Sequence, residues 1–200
     1  MGASQQSLPA TAKHKSHTNA ASTAVSAGAP SAAEIIAGVL ATSCQNTELL
    51  PSAGNLQQVE EATLCLVNQE RARNNELPLA LSEQLAEVAQ QHSEDMVTGD
   101  YFSHTTPSGE GQLERVEASG YIPNAQGGYT IGENIAWGTL SLATPGSIVA
   151  SWIASPEHLA NILTSKYTET GFGVDPAGLP SQSEGQPGAM YTQDFGVIGG

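Results

Sequence analysis

Two amphipathic helical patterns follow one another within residues 56–97, and no other feature of the sequence constrains the fold as much. The first follows Asn55, a residue type favoured at helix N-caps, and ends at the polar run 71–75. The second follows Ser82, and Glu83 in its first turn suits the helix dipole. Their inward positions at the 3.6-residue period are Leu56, Val59, Thr63, Leu66, Val67 and Glu70, then Leu85, Val88, Ala89, His92, Met96 and Val97. Each stripe must be buried against another layer of structure.

The rest of the chain adds short helices and late strands. Helices are predicted over 32–42, after Ser31, and over 112–119, before Gly120, and Thr144–Pro145 and Ser155–Pro156 each have the cap-then-proline order of a helix start. TETGFGVDP and AMYTQDFGVI are typical of strands, joined by a Gly/Pro/Ser-rich loop over 176–187, while GGYTIGENIAWG indicates a short strand or turn. This order along the chain, with helices first and a small sheet late, predicts an α+β sandwich.

Composition separates an N-terminal segment from the rest. Residues 1–30 consist almost entirely of small and polar residues, with Leu8 and Val25 as the large apolar ones. Such a segment buries too little apolar surface to offset its conformational entropy, so we expect a disordered tail. The remaining residues hold every Trp, Tyr, Phe and Ile, enough for one core.

The charge excludes some classes of partner. The 200-residue chain has 20 acidic and 6 basic side chains, for a formal net charge of −14. Such a surface repels phosphate backbones and anionic membranes, so we expect no nucleic-acid partner. No apolar run reaches 18 residues, so no transmembrane segment is predicted.

Cys44 and Cys65 are the only cysteines, and their spacing fits no zinc motif. A disulfide between them would tie the short helix and linker of 31–55 to the rest, stabilising the fold by about 3 kcal/mol in the loop-entropy model. The alternative is two buried thiols. A disulfide implies an oxidising compartment, yet residues 1–30 contain no signal-peptide hydrophobic region. We therefore expect either that an export signal has been removed or that export follows another route.

Three stretches hold more reactive side chains than packing requires: SHTTP with His104, GENIAWG with Glu133, and WIASPEHLANIL with Glu157 and His158. In each, a Gly, Pro or apolar neighbour restricts the backbone, and catalysis or metal binding needs such fixed directions. His158 is at the third position of its predicted helix, where the helix N-terminus favours the neutral imidazole that binds metals, although a side chain there can also simply face solvent. We interpret His92, on an apolar face, as a packed core histidine.

In order and spacing, five motifs closely resemble the bacterial branch of the CAP superfamily. They are LVNQERARNNELPLALSEQLAEVAQQHSEDMVTGDYFSHTTPSG, IGENIAWG, SWIASPEHLANIL, ETGFGV and YTQDFG, and the resemblance covers about residues 56–196. This family has the SCP-like domain of cysteine-rich secretory proteins, antigen 5 and pathogenesis-related protein 1. The resemblance implies a secreted or cell-envelope protein with an α-β-α sandwich, a small central and mostly antiparallel sheet, and a cleft lined by histidines and acidic residues. The domain is expected over residues 56–200.

The resemblance implies a role for three residues. His104 matches the family's first cleft histidine, and Glu133 matches its cleft glutamate. His158 lies in the S-x-x-H-x-x-N-I-L segment that is typical of bacterial members. Two positions depart from the eukaryotic pattern. Ser155 stands where those relatives have a glutamate, and Met190 stands where they have a second histidine. His158 replaces the missing imidazole only in part.

We consider three functions. The first is a monomeric extracellular or cell-envelope binding module, in which His104 and His158, with Glu133 as ligand or orienting group, take zinc, another divalent cation or a small ligand. Some relatives bind lipids in a separate groove, so a lipid or cell-envelope partner also fits. The second is a hydrolase with His104 as general base, although no nucleophile motif is present. The third is a scaffold that acts through the loop 176–187.

Overall fold

The computed structural model describes residues 29–122 and 128–199. The predicted tail, 1–30, therefore lies outside the described residues except for 29 and 30. In chain order the elements are α1 (Ala32–Ala41), α2 (Leu56–Arg73), β1 (Ala80–Leu81), α3 (Glu83–Gly99), α4 (Gln112–Ala118), β2 (Tyr129–Thr139), a 3-10 turn (Leu140–Ala143), α5 (Pro145–Ala154), α6 (Pro156–Ile162), β3 (Glu169–Asp175) and β4 (Gly188–Ile198).

One four-stranded sheet carries the fold, in the order β1-β3-β4-β2. β4 pairs antiparallel with both β2 and β3, and the two-residue β1 pairs parallel with β3. The predicted α+β architecture with a mostly antiparallel sheet is confirmed. Two details differ from the sequence prediction: YTIGENIAWG forms most of the 11-residue strand β2 rather than a short strand or turn, and β1 was not predicted.

Helices cover both faces of the sheet because side chains alternate along β3 and β4. On one face, Gly171 and Gly173 leave no space between β3 and the backbone of α3, which packs directly on the strand. On the other face, apolar residues of β3 and β4 join α2, α5 and α6 in the main core, which includes Val67, Ile148, Trp152, Ile162, Phe172, Val174, Tyr191 and Phe195. The sheet is thus the middle layer of an α-β-α sandwich.

Three predicted helix starts are capped as expected. Ser31 forms a capping box with Glu34, Ser82 accepts from the Leu85 amide, and Thr144 accepts from the Ser147 amide. Asn55 and Ser155 occupy N-cap positions but make no side-chain cap. The Asn55 side chain is instead used in the preceding turn, where it accepts from the Ser52 amide and donates to the Leu50 carbonyl.

The Cys44–Cys65 disulfide is present, with its Cα atoms 5.6 Å apart. It joins the segment after α1 to the middle of α2. α1 has no buried residue, so its attachment depends on the disulfide and on its contact with α2. In the described ranges, no helix is both long and apolar enough to cross a lipid bilayer.

Candidate functional site

Two of the predicted site residues meet at the edge of the sheet. His104 lies in the loop between α3 and α4, and Glu133 lies in β2. The Nδ1 atom of His104 is 2.6 Å from Oε1 of Glu133. The Glu133 side chain is 3% exposed, whereas that of His104 is 54% exposed. A carboxylate at Nδ1 favours a proton on that nitrogen, which leaves Nε2 with a free electron pair.

Arg115, in α4, binds the second oxygen of the Glu133 carboxylate. Its Nη2 donates to Oε2 of Glu133 at 2.6 Å, and the arginine side chain is 8% exposed. Its Nη1 also donates to the carbonyls of His104 and Glu110, at 3.2 and 3.4 Å. Arg115 therefore neutralises Glu133 and, at the same time, fixes the loop that carries His104.

His92 is buried beneath this ion pair. Its Nε2 donates to the Ser103 carbonyl at 3.1 Å and lies 4.0 Å from Oε2 of Glu133, while its Nδ1 has no partner. Burial lowers the pKa of His92, with Glu133 acting in the opposite direction. The residue is packed and hydrogen bonded, as the sequence indicated, but it also positions the residue next to His104. It thus belongs to the support of the site.

A second buried acid lies opposite Glu133. The two strands pair Glu133 with Asp194, and the Asp194 side chain is fully buried. Gln112 donates from Nε2 to Oδ1 of Asp194 at 2.7 Å and to the Gly132 carbonyl at 2.7 Å, whereas Oδ2 of Asp194 has no partner. Burial and then the charge of Glu133 raise the pKa of Asp194 well above its usual value. The pair is therefore easier to accommodate with Asp194 protonated.

His158, the third predicted residue, approaches from α6. Its carbonyl accepts from Nδ2 of Asn134 at 3.2 Å, and its Nδ1 is buried without a partner. Burial first, and then the nearby charge of His104, lower the pKa of His158, while Glu157 acts in the opposite direction. No hydrogen bond links His158 to His104 or Glu133 in the described part of the chain. Glu157 itself is exposed.

The outer edge of β2 is held by side chains rather than by another strand. Tyr167 donates its hydroxyl to the Ile131 carbonyl, Asn161 donates to the Glu133 carbonyl, and the Trp152 indole donates to the Ile135 carbonyl, at 3.0, 3.0 and 3.2 Å. These bonds fix the strand backbone on both sides of Glu133. The carboxylate is consequently positioned by its backbone as well as by its own contacts.

The geometry limits what Glu133 can do. His104 and Arg115 each bind one of its oxygens. Glu133 therefore suits the role of a carboxylate that orients an imidazole rather than that of a direct metal ligand. Within 29–122 and 128–199, no group of three or more His, Cys, Asp or Glu side chains is arranged to hold a metal ion.

Arg115, Gln112 and Asp194 were not identified from the sequence. Asp194 lies in the YTQDFG motif, but the motif gave no reason to single it out. Arg115 is one of only six basic residues and lies in a short helical pattern. Its rarity is a weak indication that it takes part in a site. Each residue comes from a different element from Glu133, so only the packing of α4 and β4 brings the group together.

Comparison with known proteins adds a family match. The model of the CAP family, described as the cysteine-rich secretory protein family, matches residues 64–195. Protein YkwD of Bacillus subtilis is 29% identical over 155 residues, which are 78% of this chain and 53% of that protein.

Solved structures show the same architecture. An extracellular protein containing a SCP domain from Bacillus anthracis has a TM-score of 0.55 and 28% identity, over 75% of this chain and 44% of that one. An outer surface protein from Borrelia burgdorferi has a TM-score of 0.54 at 15% identity, over 74% of this chain and 96% of that one, a likeness of fold alone. The chain thus spans about half of YkwD and less than half of the Bacillus anthracis chain.

Proposed function

Since this chain belongs to the CAP family of cysteine-rich secretory proteins, we propose that it is an extracellular or cell-envelope binding module whose binding site is centred on His104. The observation that carries the proposal is the contact between His104 and Glu133, in which a buried carboxylate orients a half-exposed imidazole. The Cys44–Cys65 disulfide supports an oxidising compartment. The similarity to an extracellular SCP-domain protein supports the same location.

His104 and His158 suit a ligand that accepts an electron pair from an imidazole nitrogen. With Glu133 at Nδ1, the free electron pair of His104 lies on Nε2, on an imidazole that is half exposed to solvent. The lowered pKa of His158 keeps a second imidazole neutral near neutral pH. These two residues would hold a divalent cation such as Zn²⁺, which when bound would act as a Lewis acid. A small ligand that donates a hydrogen bond to Nε2 would use the same atom.

Zinc titration calorimetry tests the cation form of the proposal. The protein should carry His14→Ala and His17→Ala, so that imidazoles of the N-terminal segment cannot contribute. We expect this background protein to bind one Zn²⁺, and either His104→Ala or His158→Ala to weaken binding by at least about tenfold. Glu117→Gln is the control, because Glu117 is an exposed carboxylate of α4 that contacts neither His104 nor Glu133 in the described residues. Equal zinc affinity in the His104→Ala protein, or no uptake by the background protein, would contradict the cation form.

A hydrolase is the second candidate, because an imidazole held by a carboxylate is also the arrangement of a general base. Both cysteines are in the disulfide, and no hydroxyl in the described residues is hydrogen bonded to Nε2 of His104. A hydrolase here would therefore activate water directly. Turnover of peptide, ester or glycan substrates that disappears in the His104→Ala protein would support this function, whereas turnover that survives the substitution would indicate a contaminant.

A further inference from the structure

Two neighbouring residues of β2, Glu133 and Asn134, face opposite sides of the strand, because side chains alternate along it. The Glu133 side chain contacts His104. The Asn134 side chain is fully buried and contacts α6, where its Nδ2 donates to the carbonyl of His158 at 3.2 Å. Each of these two adjacent residues is thus in contact with one of the two histidines of the proposed site.

Asn161, in α6, completes the contact between α6 and β2. Its Nδ2 donates both to the carbonyl of Glu133 and to Oδ1 of Asn134, at 3.0 Å each. Every acceptor in this group is an oxygen, so each side-chain amide must point its nitrogen toward the acceptor and has only one possible orientation. The two asparagines therefore form a single hydrogen-bonded unit that joins the main chain at Glu133 to the main chain at His158.

The position of α6 depends on contacts of this kind. The helix has only seven residues, Pro156–Ile162, and Ser155 at its N-cap makes no side-chain hydrogen bond. A helix of this length is not stable by itself in water. His158 and Asn161 are three residues apart and lie on the same side of the helix. A bond made by Asn161 thus restrains the part of α6 that carries His158.

The half-buried imidazole of His158 has one nitrogen with which it can bind a ligand. Its Nδ1 is closed to solvent and has no hydrogen-bond partner in the described residues. Nε2 is therefore the nitrogen that can meet a ligand, as it is in His104, whose Nδ1 contacts Glu133. Where this Nε2 atom points depends on where α6 lies against β2.

We propose that Asn134 and Asn161 are positioning residues for His158. By joining the His158 carbonyl to that of Glu133, they hold α6 against β2 and set the distance between the Nε2 atoms of the two imidazoles. This inference rests on the proposed function, because it concerns the same two histidines. Glu133 orients His104 through its side chain, and the two asparagines orient His158 through the main chain. A ligand that contacts both imidazoles depends on both arrangements, whereas a ligand of His104 alone depends only on the first.

Zinc titration calorimetry on the full chain that carries His14→Ala and His17→Ala tests this proposal. Asn161→Ala should weaken zinc binding by about three- to tenfold. In a protein that already carries His158→Ala, the same substitution should cause no further loss, because Asn161 acts through His158. Asn161→Ser is the milder second variant, for use at temperatures at which the alanine protein is not folded.

Asn68→Ala is the matched control. Asn68 ties α2 to the residue before β1, because its side chain makes two hydrogen bonds with the Leu79 main chain, at 2.8 and 3.1 Å. The control therefore loses a similar contact between a helix and the sheet, but at a distance in the fold from both histidines. It should melt at a lower temperature and keep its zinc affinity within about twofold.

NMR of the metal-free protein provides a measurement that does not depend on zinc. The ring carbon-bound proton signals of His158 should move in the Asn161→Ala protein, by more than those of His104, and should stay in place in the Asn68→Ala protein. If the background protein binds no zinc, the cation form of the proposed function is wrong, and these signals alone decide whether the asparagines position His158.

Three results would overturn the proposal. The first is unchanged zinc affinity in the Asn161→Ala protein. The second is a loss of affinity that is equally large in the Asn68→Ala protein or that persists in full beside His158→Ala, either of which would indicate general destabilisation. The third is an unmoved set of His158 ring signals in the folded Asn161→Ala protein, with or without zinc binding.

Discussion

At the scale of single residues, the central feature is the way in which Glu133 is used. His104 and Arg115 each take one oxygen of its carboxylate at 2.6 Å, and the side chain is 3% exposed. A buried carboxylate without these partners would carry a large desolvation penalty, so the ion pair is a condition for placing Glu133 there. The interpretation of Glu133 as an orienting group is therefore favoured over that of a direct ligand.

The sequence identified His104 and Glu133 because each stands in a short, restricted motif that resembles the family's. It could not identify Arg115 or Asp194, because their importance arises from contacts between elements. Arg115 and Glu133 are 18 residues apart in the sequence, and Gln112 and Asp194 are 82 residues apart. A helical pattern shows which side of α4 faces inward, but it does not show which buried acid that side will meet.

Asp194 leads to a prediction about pH. A carboxyl group with a raised pKa in the folded state binds more protons there than in the unfolded chain, so stability falls as pH rises above the unfolded pKa of about 3.9. The substitution Asp194→Asn removes this loss. We expect the variant to be more stable than the original protein at pH 7, by about 1–3 kcal/mol, with the gain disappearing below about pH 4.

Urea denaturation across this pH range measures the effect. The exposed carboxylate of Glu117, replaced by glutamine, provides the control and should show no comparable gain. A destabilised Asp194→Asn protein at pH 7 would mean that the charged form of Asp194 is needed in the fold.

At the scale of elements, the close contact between α3 and β3 determines where His92 and the following loop lie. Gly171 and Gly173 face the backbone of α3, at Leu85, Ala86, Ala89 and Gln90, and an added Cβ at either glycine would overlap it. The helix can therefore approach the sheet only where the strand lacks side chains. This approach brings His92, three turns into α3, beneath Glu133.

We predict that Gly173→Ala is strongly destabilising, by about 3 kcal/mol or more, because the helix or the strand must move. Gly38→Ala is the matched control, since Gly38 lies in α1 with nothing within 4 Å of an added Cβ, and it should stabilise the protein by about 0.5–1 kcal/mol. Thermal denaturation of the two proteins checks both signs. A Gly173→Ala protein that melts at the original temperature would show that α3 and β3 can separate easily.

The elements themselves were largely predictable, for reasons that differ from one to the next. α2, α3 and α5 combine a cap position with an apolar helical period, and β3 and β4 contain aromatic and β-branched residues between turns. Their local sequence therefore already favours the observed state. β1 has only two residues, both exposed, and exists because the chain passes alongside β3. β2 contains glycines that weaken the strand signal, and its pairing with β4 over 11 residues overrides this weakness.

At the scale of the whole molecule, the dominant property is its charge. The chain has twenty acidic side chains and only six basic ones. In the described residues, Arg73–Glu70 and Arg115–Glu133 are the ion pairs that involve an arginine or lysine, so most carboxylates repel one another without compensation. This self-repulsion disfavours the compact state.

We therefore expect the protein to gain stability with ionic strength, on the order of 1 kcal/mol between very low salt and about 0.15 M, because the Debye length falls to about 8 Å. Urea denaturation in sodium chloride, with an uncharged solute at equal osmolality as control, measures this gain. Stability that is unchanged or lower in salt would imply that attractive pairs outweigh repulsion.

The side chains that occupy the outer carbonyls of β2 have a consequence for encounters between molecules. An unpaired sheet margin ordinarily offers a template on which a further strand, from a peptide or from another copy, can be added. Here Tyr167, Asn161 and Trp152 already fill the acceptors of Ile131, Glu133 and Ile135. In the folded molecule, a further strand cannot use these three carbonyls to extend the sheet past β2.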